Sequence, residues 1–181
     1  MGAFGEDRKG ARGISGTGRG HAHDTSIIGM NILVINGPNL NMLGRRDSQH
    51  YGSLTLNAIE DLLRKKAREL GAGAEQITLQ FFQSNHEGAL IDFIQKESFR
   101  AQGILINPGA LTHYSYALRD ALADAGVPVV EAHLSDIAQR EPFRRISVIA
   151  DIVTERVIGL KERSYIVGLE KLIARLRDIP A

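Results

Sequence analysis

Short apolar runs rich in β-branched residues alternate with amphipathic helical segments through most of this chain. Five such runs predict β-strands, at residues 32–35, 77–82, 104–106, 127–131 and 153–160. Helical spacing of apolar residues predicts helices at 56–70, after Gly88, at 115–125 and at 162–177. This alternation favours a parallel sheet covered on both faces, and right-handed crossovers make it a doubly wound, flavodoxin-like three-layer sandwich. We therefore predict an α/β fold with a five-stranded parallel sheet, since 181 residues are too few for a TIM barrel.

The connection after the first predicted strand is much longer than an ordinary one. The strand stops at Asn36, Gly37 and Pro38, and the next helix begins only at Thr55, which occupies an N-cap position. Connections in compact domains usually have about 4 to 6 residues, so a long polar connection with arginines and a tyrosine is more typical of a binding loop. We call residues 37–54 the lid loop.

The first 29 residues differ from the rest in composition, being rich in glycine and charged residues with few apolar ones before Ile27. Such a segment cannot bury enough surface to offset the entropy of ordering it. Its two histidines, His21 and His23, have no third metal ligand nearby. We predict a disordered extension over residues 1–29 and a single α/β domain over residues 30–181.

The overall charge of the chain is nearly balanced, with 22 Lys and Arg against 21 Asp and Glu. Such a chain lacks the basic field that attracts nucleic acid or anionic membranes, and no apolar run approaches the ~18 residues that span a bilayer. The absence of cysteine excludes disulfides, thiolate nucleophiles and Cys-ligated metal sites, and fits a reducing compartment. We expect a cytoplasmic protein that binds neither nucleic acid nor membrane.

Polar residues cluster just after four of the predicted strands. The carboxyl ends of parallel strands meet at one edge of a sheet, and ligands bind there near the point where the strand order reverses. The clusters therefore predict a ligand site at this edge. Their members are Asn36 and Asn39, then Gln83, Ser84 and Asn85, then Asn107 and His113, and finally Glu131 and His133.

Three common site motifs are missing from the sequence. Neither Gly-x-Gly-x-x-Gly after the first strand nor Gly-x-x-x-x-Gly-Lys-Ser/Thr occurs, which removes the phosphate cradles of dinucleotide-binding and P-loop proteins. The Gly-x-Ser-x-Gly nucleophile elbow is also missing.

Glu131 and His133 are two residues apart at a strand end, where alternate residues share a face. With His113 they could form the two-histidine, one-carboxylate metal site of a metal-assisted hydrolase. Alternatively, Glu131 orients or polarises His133, which would suit a general acid. We favour the second interpretation over the metal site, because no carboxylate or histidine motif of tighter metal spacing supports the first.

Tyr51 is the remaining titratable candidate and lies five residues after Arg46. A free phenol has a pKa of about 10, so a tyrosine base near neutrality needs its ionised form stabilised by about 4 kcal/mol. A guanidinium about 4 Å away at an effective dielectric of about 20 supplies roughly that much. The pair of Arg46 and Tyr51 is therefore compatible with a tyrosinate base.

Six sequence blocks, in order and with sensible spacing from about Asn31 to Leu176, resemble the type II 3-dehydroquinate dehydratases, or type II dehydroquinases. The blocks are Gly37-Pro-Asn-Leu-Asn-x-Leu-Gly-x-Arg46-x-x-x-x-Tyr51-Gly52, Gln83-Ser-Asn-x-Glu-Gly88, Asn107-Pro-Gly-Ala-x-Thr-His113, Ala117-Leu-Arg-Asp120, Glu131-x-His133-x-Ser135 and Arg140-x-x-Phe-Arg144. The resemblance implies a cofactor-free anti elimination of water from 3-dehydroquinate, which gives 3-dehydroshikimate in the shikimate pathway.

The resemblance also implies a role for each matching position. Tyr51 would remove the proton α to the ketone, Arg46 would favour the ionised tyrosine, and Asn39 would stabilise the enolate by way of a water. His133 would protonate the departing hydroxyl. Contacts to the substrate hydroxyls and carboxylate are implied for Asn107, His113, Arg144 and the backbone at Leu134 and Ser135.

Assembly is a further implication of the resemblance. The family forms trimers grouped into dodecamers, so a homo-oligomer is implied for this chain. By position, Asp120 would reach the site of a neighbouring subunit.

Two stretches depart from the usual family pattern. Asp47 and Ser48 replace Glu-Pro in the lid loop, and different pairs of residues flank Arg140. None of these changes removes a proposed catalytic group. Losing proline raises the entropy of ordering the lid loop over substrate, so we expect weaker binding or slower turnover than in typical members. The departures are also the only hint of a homologue that binds without turnover.

Overall fold

Five parallel strands form the centre of the structure, a computed structural model that describes residues 28–71 and 75–179. The strands are β1 (Ile28–Asn36), β2 (Glu75–Gln83), β3 (Gly103–Asn107), β4 (Val129–His133) and β5 (Glu155–Ile158). They lie in the order β2-β1-β3-β4-β5. The predicted flavodoxin-like α/β sandwich with a five-stranded parallel sheet is confirmed.

Two strands differ from their predicted bounds in ways that matter. β1 begins at Ile28, where residues 28 and 29 pair with Glu75 and Gln76, so the end of the segment predicted to be disordered belongs to the sheet. The rest of that segment lies outside the described residues. β4 begins after Pro128, two residues later than predicted, because proline has no N–H for the ladder. β4 also ends two residues later than predicted, at His133, so Glu131 and His133 both lie within the strand.

The helices of the described residues are α1 (Ser48–Tyr51), α2 (Leu56–Leu70), α3 (Glu87–Glu97), α4 (Tyr116–Asp124) and α5 (Arg163–Arg177). The prediction for α2 is confirmed at both ends. The Thr55 side chain accepts a hydrogen bond of 3.2 Å from the Ala58 N–H, and Gly71 is the C-cap. None of the described helices is both long and apolar enough to cross a membrane.

Alternate side chains of β1 pack into two separate hydrophobic cores, one on each face of the sheet. Ile32 and Val34 belong to the apolar cluster under α2 and α5, whereas Leu33 and Ile35 belong to the cluster under α3 and α4. All four side chains are fully buried. The period of two along a strand thus explains why β1 reads as a continuous apolar run, since both of its faces are covered.

The sheet order reverses at β1, which has β2 on one side and β3 on the other. The Gly37 N–H donates to the Asn107 carbonyl at 2.8 Å, so the chain segments that follow β1 and β3 leave the sheet side by side. A Cβ at Gly37 would lie 2.2 Å from the Pro108 carbonyl oxygen, so this close approach requires glycine. The junction places the lid loop directly beside the segment that carries His113.

Candidate active site

One cavity lies at the carboxyl ends of β1, β3 and β4, where the strand order predicts a ligand site. Nine of the eleven residues predicted for the site line it, namely Asn39, Arg46, Tyr51, Asn107, His113, His133, Leu134, Ser135 and Arg144. Arg140 lines it as well, whereas Glu131 and Asp120 do not. With three arginines, two histidines and no carboxylate on its wall, the cavity suits an anionic ligand.

The lid loop carries its own local structure, which the sequence prediction did not include. A 3-10 turn over Leu40–Met42 is followed by α1, whose last residue is Tyr51. The Asp47 side chain accepts a hydrogen bond of 2.9 Å from the Gln49 N–H and so caps α1. The Asp47 and Ser48 pair that departs from the family pattern therefore starts a helical turn that holds Tyr51.

Two guanidinium groups lie against Tyr51. The Cζ of Arg46 is 3.8 Å from the centroid of the tyrosine ring, and the Cζ of Arg140 is 5.9 Å from it. Burial lowers the pKa of Arg140, but its hydrogen bonding and charge interaction with Tyr51 and Glu141 outweigh burial and raise that pKa. Both guanidinium groups therefore place positive charge beside the Tyr51 ring.

Arg140 is the residue that the sequence-based assignment of roles missed. It belongs to one of the six blocks, four residues before Arg144, but received no role. The available signal was its position in an arginine-containing polar segment between β4 and β5. Its contact with Tyr51 spans 89 positions of sequence and depends on the lid loop folding across the cavity, which no local pattern reports.

Asn39 has an unusual backbone conformation, with a φ of 66° that residues other than glycine rarely adopt. Its N–H donates to the Asn85 Oδ1 at 2.9 Å, and the Gln83 amide donates to the Gly37 carbonyl at 3.3 Å and to the same Asn85 oxygen at 3.1 Å. The polar cluster after β2 therefore supports the turn rather than lining the cavity. Asn39 itself faces the ligand site.

His113 presents one ring nitrogen to the protein and the other toward the cavity. Its Nδ1 lies 2.7 Å from the Ile146 carbonyl oxygen, which makes Nδ1 the protonated nitrogen. Burial lowers the pKa of His113, and the nearby His133 and Arg144 lower it further, against the opposing effects of Ile146 and Glu131. A neutral His113 then offers Nε2 as a hydrogen-bond acceptor.

Glu131 is completely buried behind His133, and its Oε1 lies 2.7 Å from the His133 Nε2. Thr112 donates to the same oxygen, Arg156 Nε donates to Oε2 at 2.7 Å, and Ser147 Oγ lies 3.1 and 3.2 Å from the two oxygens. Burial raises the pKa of Glu131, but His133, Thr112 and Arg156 together hold it at about 2. The carboxylate is thus ionised and in contact with the His133 ring, whereas its role in orienting a general acid stays a prediction.

The arrangement does not fit the alternative of a metal-assisted hydrolase. Within residues 28–71 and 75–179, no group of three or more His, Cys, Asp or Glu side chains is placed to hold a metal ion. Glu131 meets His133 in a direct hydrogen bond, while His113 turns its Nδ1 to a backbone carbonyl. The three residues are close together but do not converge on one point.

Of the two remaining predicted residues, Arg144 lies at the cavity and Asp120 lies outside it. Arg144 lines the cavity, and its Nε is 3.2 Å from a Glu141 carboxylate oxygen without the geometry of a hydrogen bond. Asp120 is exposed on α4, outside the cavity wall. The single chain thus leaves Asp120 facing outward, and its predicted contact with a neighbouring site stays a prediction.

Comparison with known proteins gives a consistent result. The family model described as dehydroquinase class II matches residues 30–173. The chain is 55% identical over 144 residues to the 3-dehydroquinate dehydratase of Roseiflexus castenholzii, covering 80% of this chain and 88% of the relative. It is 46% identical over 147 residues to the 3-dehydroquinate dehydratase of Bacillus cytotoxicus, covering 81% and 97%.

A solved structure agrees with these sequence matches. The crystal structure of the type II dehydroquinase from Butyrivibrio crossotus superposes with a TM-score of 0.75 at 42% identity, and the match covers 80% of this chain and 97% of that one. The shared fold, the extent of the matches and the family model together show that the chain belongs to the class II dehydroquinases.

Proposed function

We propose that this chain is a hydro-lyase that dehydrates 3-dehydroquinate to 3-dehydroshikimate by anti elimination through an enolate. The observation that carries the proposal is one cation-lined cavity that holds Tyr51 beside two guanidinium groups and His133 beside an ionised carboxylate. The activity printed for the relatives, 3-dehydroquinate dehydratase, supports the choice of substrate.

The first step is removal of a proton α to the ketone. Tyr51 as phenolate takes this proton, and the electron pair of the broken C–H bond moves into the ketone to form an enolate. Arg46 and Arg140 stabilise the phenolate before the transfer. Asn39, whose backbone is fixed by Asn85, stabilises the enolate oxygen through a water.

The second step expels the hydroxyl on the neighbouring carbon. The enolate electrons reform the ketone and make the new carbon–carbon double bond as the C–O bond breaks. His133 gives its proton to the leaving oxygen, which departs as water. Glu131 occupies the His133 Nε2 at 2.7 Å, so the other ring nitrogen, Nδ1, is the one available to the leaving group. Return of the proton from Tyr51 to His133 through solvent resets the site.

Substrate binding follows from the remaining cavity wall. The substrate carries a carboxylate and several hydroxyls, which match the backbone at Leu134 and Ser135 and the side chains of Asn107 and Arg144. A neutral His113 accepts a hydrogen bond from a substrate hydroxyl, because its Nδ1 already donates to Ile146. No step of this scheme calls for a cofactor.

The activity test uses metal-stripped protein. We expect 3-dehydroquinate to be converted to a conjugated enone, seen as a rise in ultraviolet absorbance, at the same rate before and after treatment with a chelator. Activity that disappears with the chelator and returns with a metal ion would instead favour a metal-assisted mechanism. A folded protein that binds the substrate without any rise in absorbance would indicate a non-catalytic homologue.

The cap of α1 gives a prediction about the lid loop. Asp47→Ala removes the acceptor for the Gln49 N–H, which costs about 1 kcal/mol of local helix stability. Because Tyr51 ends this helix, we expect kcat/KM to fall by about fivefold with an unchanged melting temperature. Asp47→Asn keeps the acceptor and should stay near wild type. Equal kcat/KM for the two variants would contradict a capping role.

The oligomer stays a proposal, supported by apolar exposure beside the site. Tyr114, Tyr116, Phe143 and Ile146 are each more than 60% exposed. They lie on neighbouring segments, since the His113 Nδ1 contacts the Ile146 carbonyl and the Val148 N–H donates to the Thr112 carbonyl at 2.8 Å. An exposed apolar surface of this kind is typical of a protein interface. We propose that it packs against another copy of the chain, within reach of the exposed Asp120.

Subunit mixing tests this assembly. Asp120→Ala and His133→Ala should each be inactive alone, but co-expressed chains in a symmetric oligomer should recover about a quarter of wild-type activity. The recovered sites combine His133 of one subunit with Asp120 of another. No recovery from an oligomer that contains both variants would show that Asp120 does not act across subunits.

A further inference from the structure

Arg156 lies on the strand next to Glu131 and contacts this carboxylate, but it does not line the cavity. The register of β4 and β5 pairs Glu131 directly with Arg156, so their side chains leave the same face of the sheet. The Arg156 Nε donates to the Glu131 Oε2 at 2.7 Å. Glu131 is wholly buried, while the Arg156 side chain is 31% exposed. Arg156 therefore links a buried carboxylate to solvent without lining the cavity.

The two oxygens of Glu131 have different partners. Oε1 accepts from His133 and Thr112, whereas Oε2 accepts from Arg156. Ser147 lies within 3.2 Å of both oxygens. Without a cation on Oε2, a carboxylate this deeply buried would bind a proton more readily. The orientation of Oε1 toward His133 would then depend only on the hydroxyls of Thr112 and Ser147.

We propose that Arg156 is a positioning residue for the acid step, holding Glu131 so that its Oε1 stays aligned with the His133 Nε2. This inference rests on the proposed function, since it assigns Arg156 to the step in which His133 protonates the leaving hydroxyl. Arg156 touches neither the cavity nor the substrate. It acts only through Glu131.

The other charged groups around this pair remain when Arg156 is changed. His113, after β3, lies near both His133 and Arg144, which line the same cavity, and Thr112 and Ser147 add neutral hydroxyls. Removing Arg156 makes the surroundings of Glu131 and His133 more negative by one charge. The coupled pair should then keep a proton to higher pH.

Arg156→Met tests the proposal, because methionine keeps much of the side-chain length without the charge. We expect kcat to fall by about tenfold with KM within about twofold of wild type, as is typical for loss of a residue that orients a reacting group. The basic limb of the kcat pH profile should move to higher pH. Arg156→Lys restores the charge without the guanidinium geometry and should recover most of the lost kcat and return the limb toward its wild-type position.

Arg177→Met is the matched control. Arg177 contacts Glu75 through Nε at 3.1 Å and Nη2 at 2.6 Å, so it makes a similar pair with a glutamate of the sheet. This pair lies at the opposite edge of the sheet, on β2, and does not line the cavity. The control variant should therefore keep wild-type kcat and the wild-type pH profile.

Four outcomes overturn the proposal. The first is a kcat for Arg156→Met within twofold of wild type together with a superimposable pH profile, and the second is an equal loss of kcat in Arg156→Met and Arg177→Met. The third is an increase in the KM of Arg156→Met with unchanged kcat, and the fourth is failure of Arg156→Lys to recover the lost kcat. If Arg156→Met does not fold, as judged by circular dichroism and thermal unfolding, Arg156→Gln is measured and judged by the same criteria. An inactive wild-type protein would overturn the proposed function itself, which is a different result from an active wild type whose Arg156 variants are unchanged.

Discussion

Replacing Tyr51 with phenylalanine should lower kcat by roughly a thousandfold, within the range that a general base contributes. The variant lacks the oxygen that takes the proton α to the ketone but keeps the ring on which Arg46 packs at 3.8 Å. The lid loop should therefore fold as before, and KM should change by less than a few-fold. Steady-state assay of enone formation gives both constants.

Tyr116→Phe is the control for the loss of a tyrosine hydroxyl. Tyr116 is 67% exposed at the start of α4 and does not line the cavity, and phenylalanine keeps the apolar ring that we propose to pack against another copy of the chain. We expect wild-type kcat for this variant. If Tyr51→Phe retained more than about a tenth of wild-type kcat, the base would have to be another residue.

His133→Ala has the second large expected effect, and it separates the two proton transfers. Without the acid, dehydration should slow by roughly a thousandfold, because hydroxide is a poor leaving group. Tyr51 and its two guanidinium neighbours are unchanged, so removal of the proton α to the ketone should continue. In deuterated water the remaining 3-dehydroquinate should thus gain deuterium at that carbon while little product forms.

Mass spectrometry of the recovered substrate measures this exchange. Tyr51→Phe should show neither exchange nor dehydration, so the two variants differ in a way that loss of folding cannot reproduce. His86→Ala, which removes an exposed histidine outside the cavity, should behave as wild type. A His133→Ala protein that loses exchange and dehydration together would contradict the staged mechanism.

Sequence patterns predicted the fold wherever a local signal was strong. α2 has a capping threonine, apolar residues at helical spacing and a terminal glycine, and both of its predicted ends are confirmed. The start of β4 was predicted two residues early because Val127 and Pro128 continue the apolar run. Apolar character alone does not report whether a backbone N–H is available for the sheet ladder.

The candidate site could be predicted to the extent that its residues end strands or belong to recognisable blocks. Asn39, Asn107 and His133 follow this rule, and the structure brings all three to one cavity. Arg140 belongs to a block and Arg156 does not, but neither role could be predicted, because one depends on how the lid loop folds and the other on the register between β4 and β5. In both cases, a guanidinium meets a partner that is remote in sequence, and its role depends on that contact rather than on its neighbours along the chain.

The placement of base and acid on different elements leads to the most direct test. Tyr51 approaches from the lid loop, whereas His133 stands at the end of β4, so proton removal and hydroxyl departure should occur on opposite faces of the substrate ring. The carbon between the ketone and the carbon that bears the leaving hydroxyl carries two hydrogens, one on each face of the ring. Two samples of 3-dehydroquinate, each labelled with deuterium at one of these hydrogens, distinguish the faces. We predict that the enone product loses the label anti to the leaving hydroxyl and retains the label syn to it. Loss of the syn label, or equal loss of both, would contradict the account.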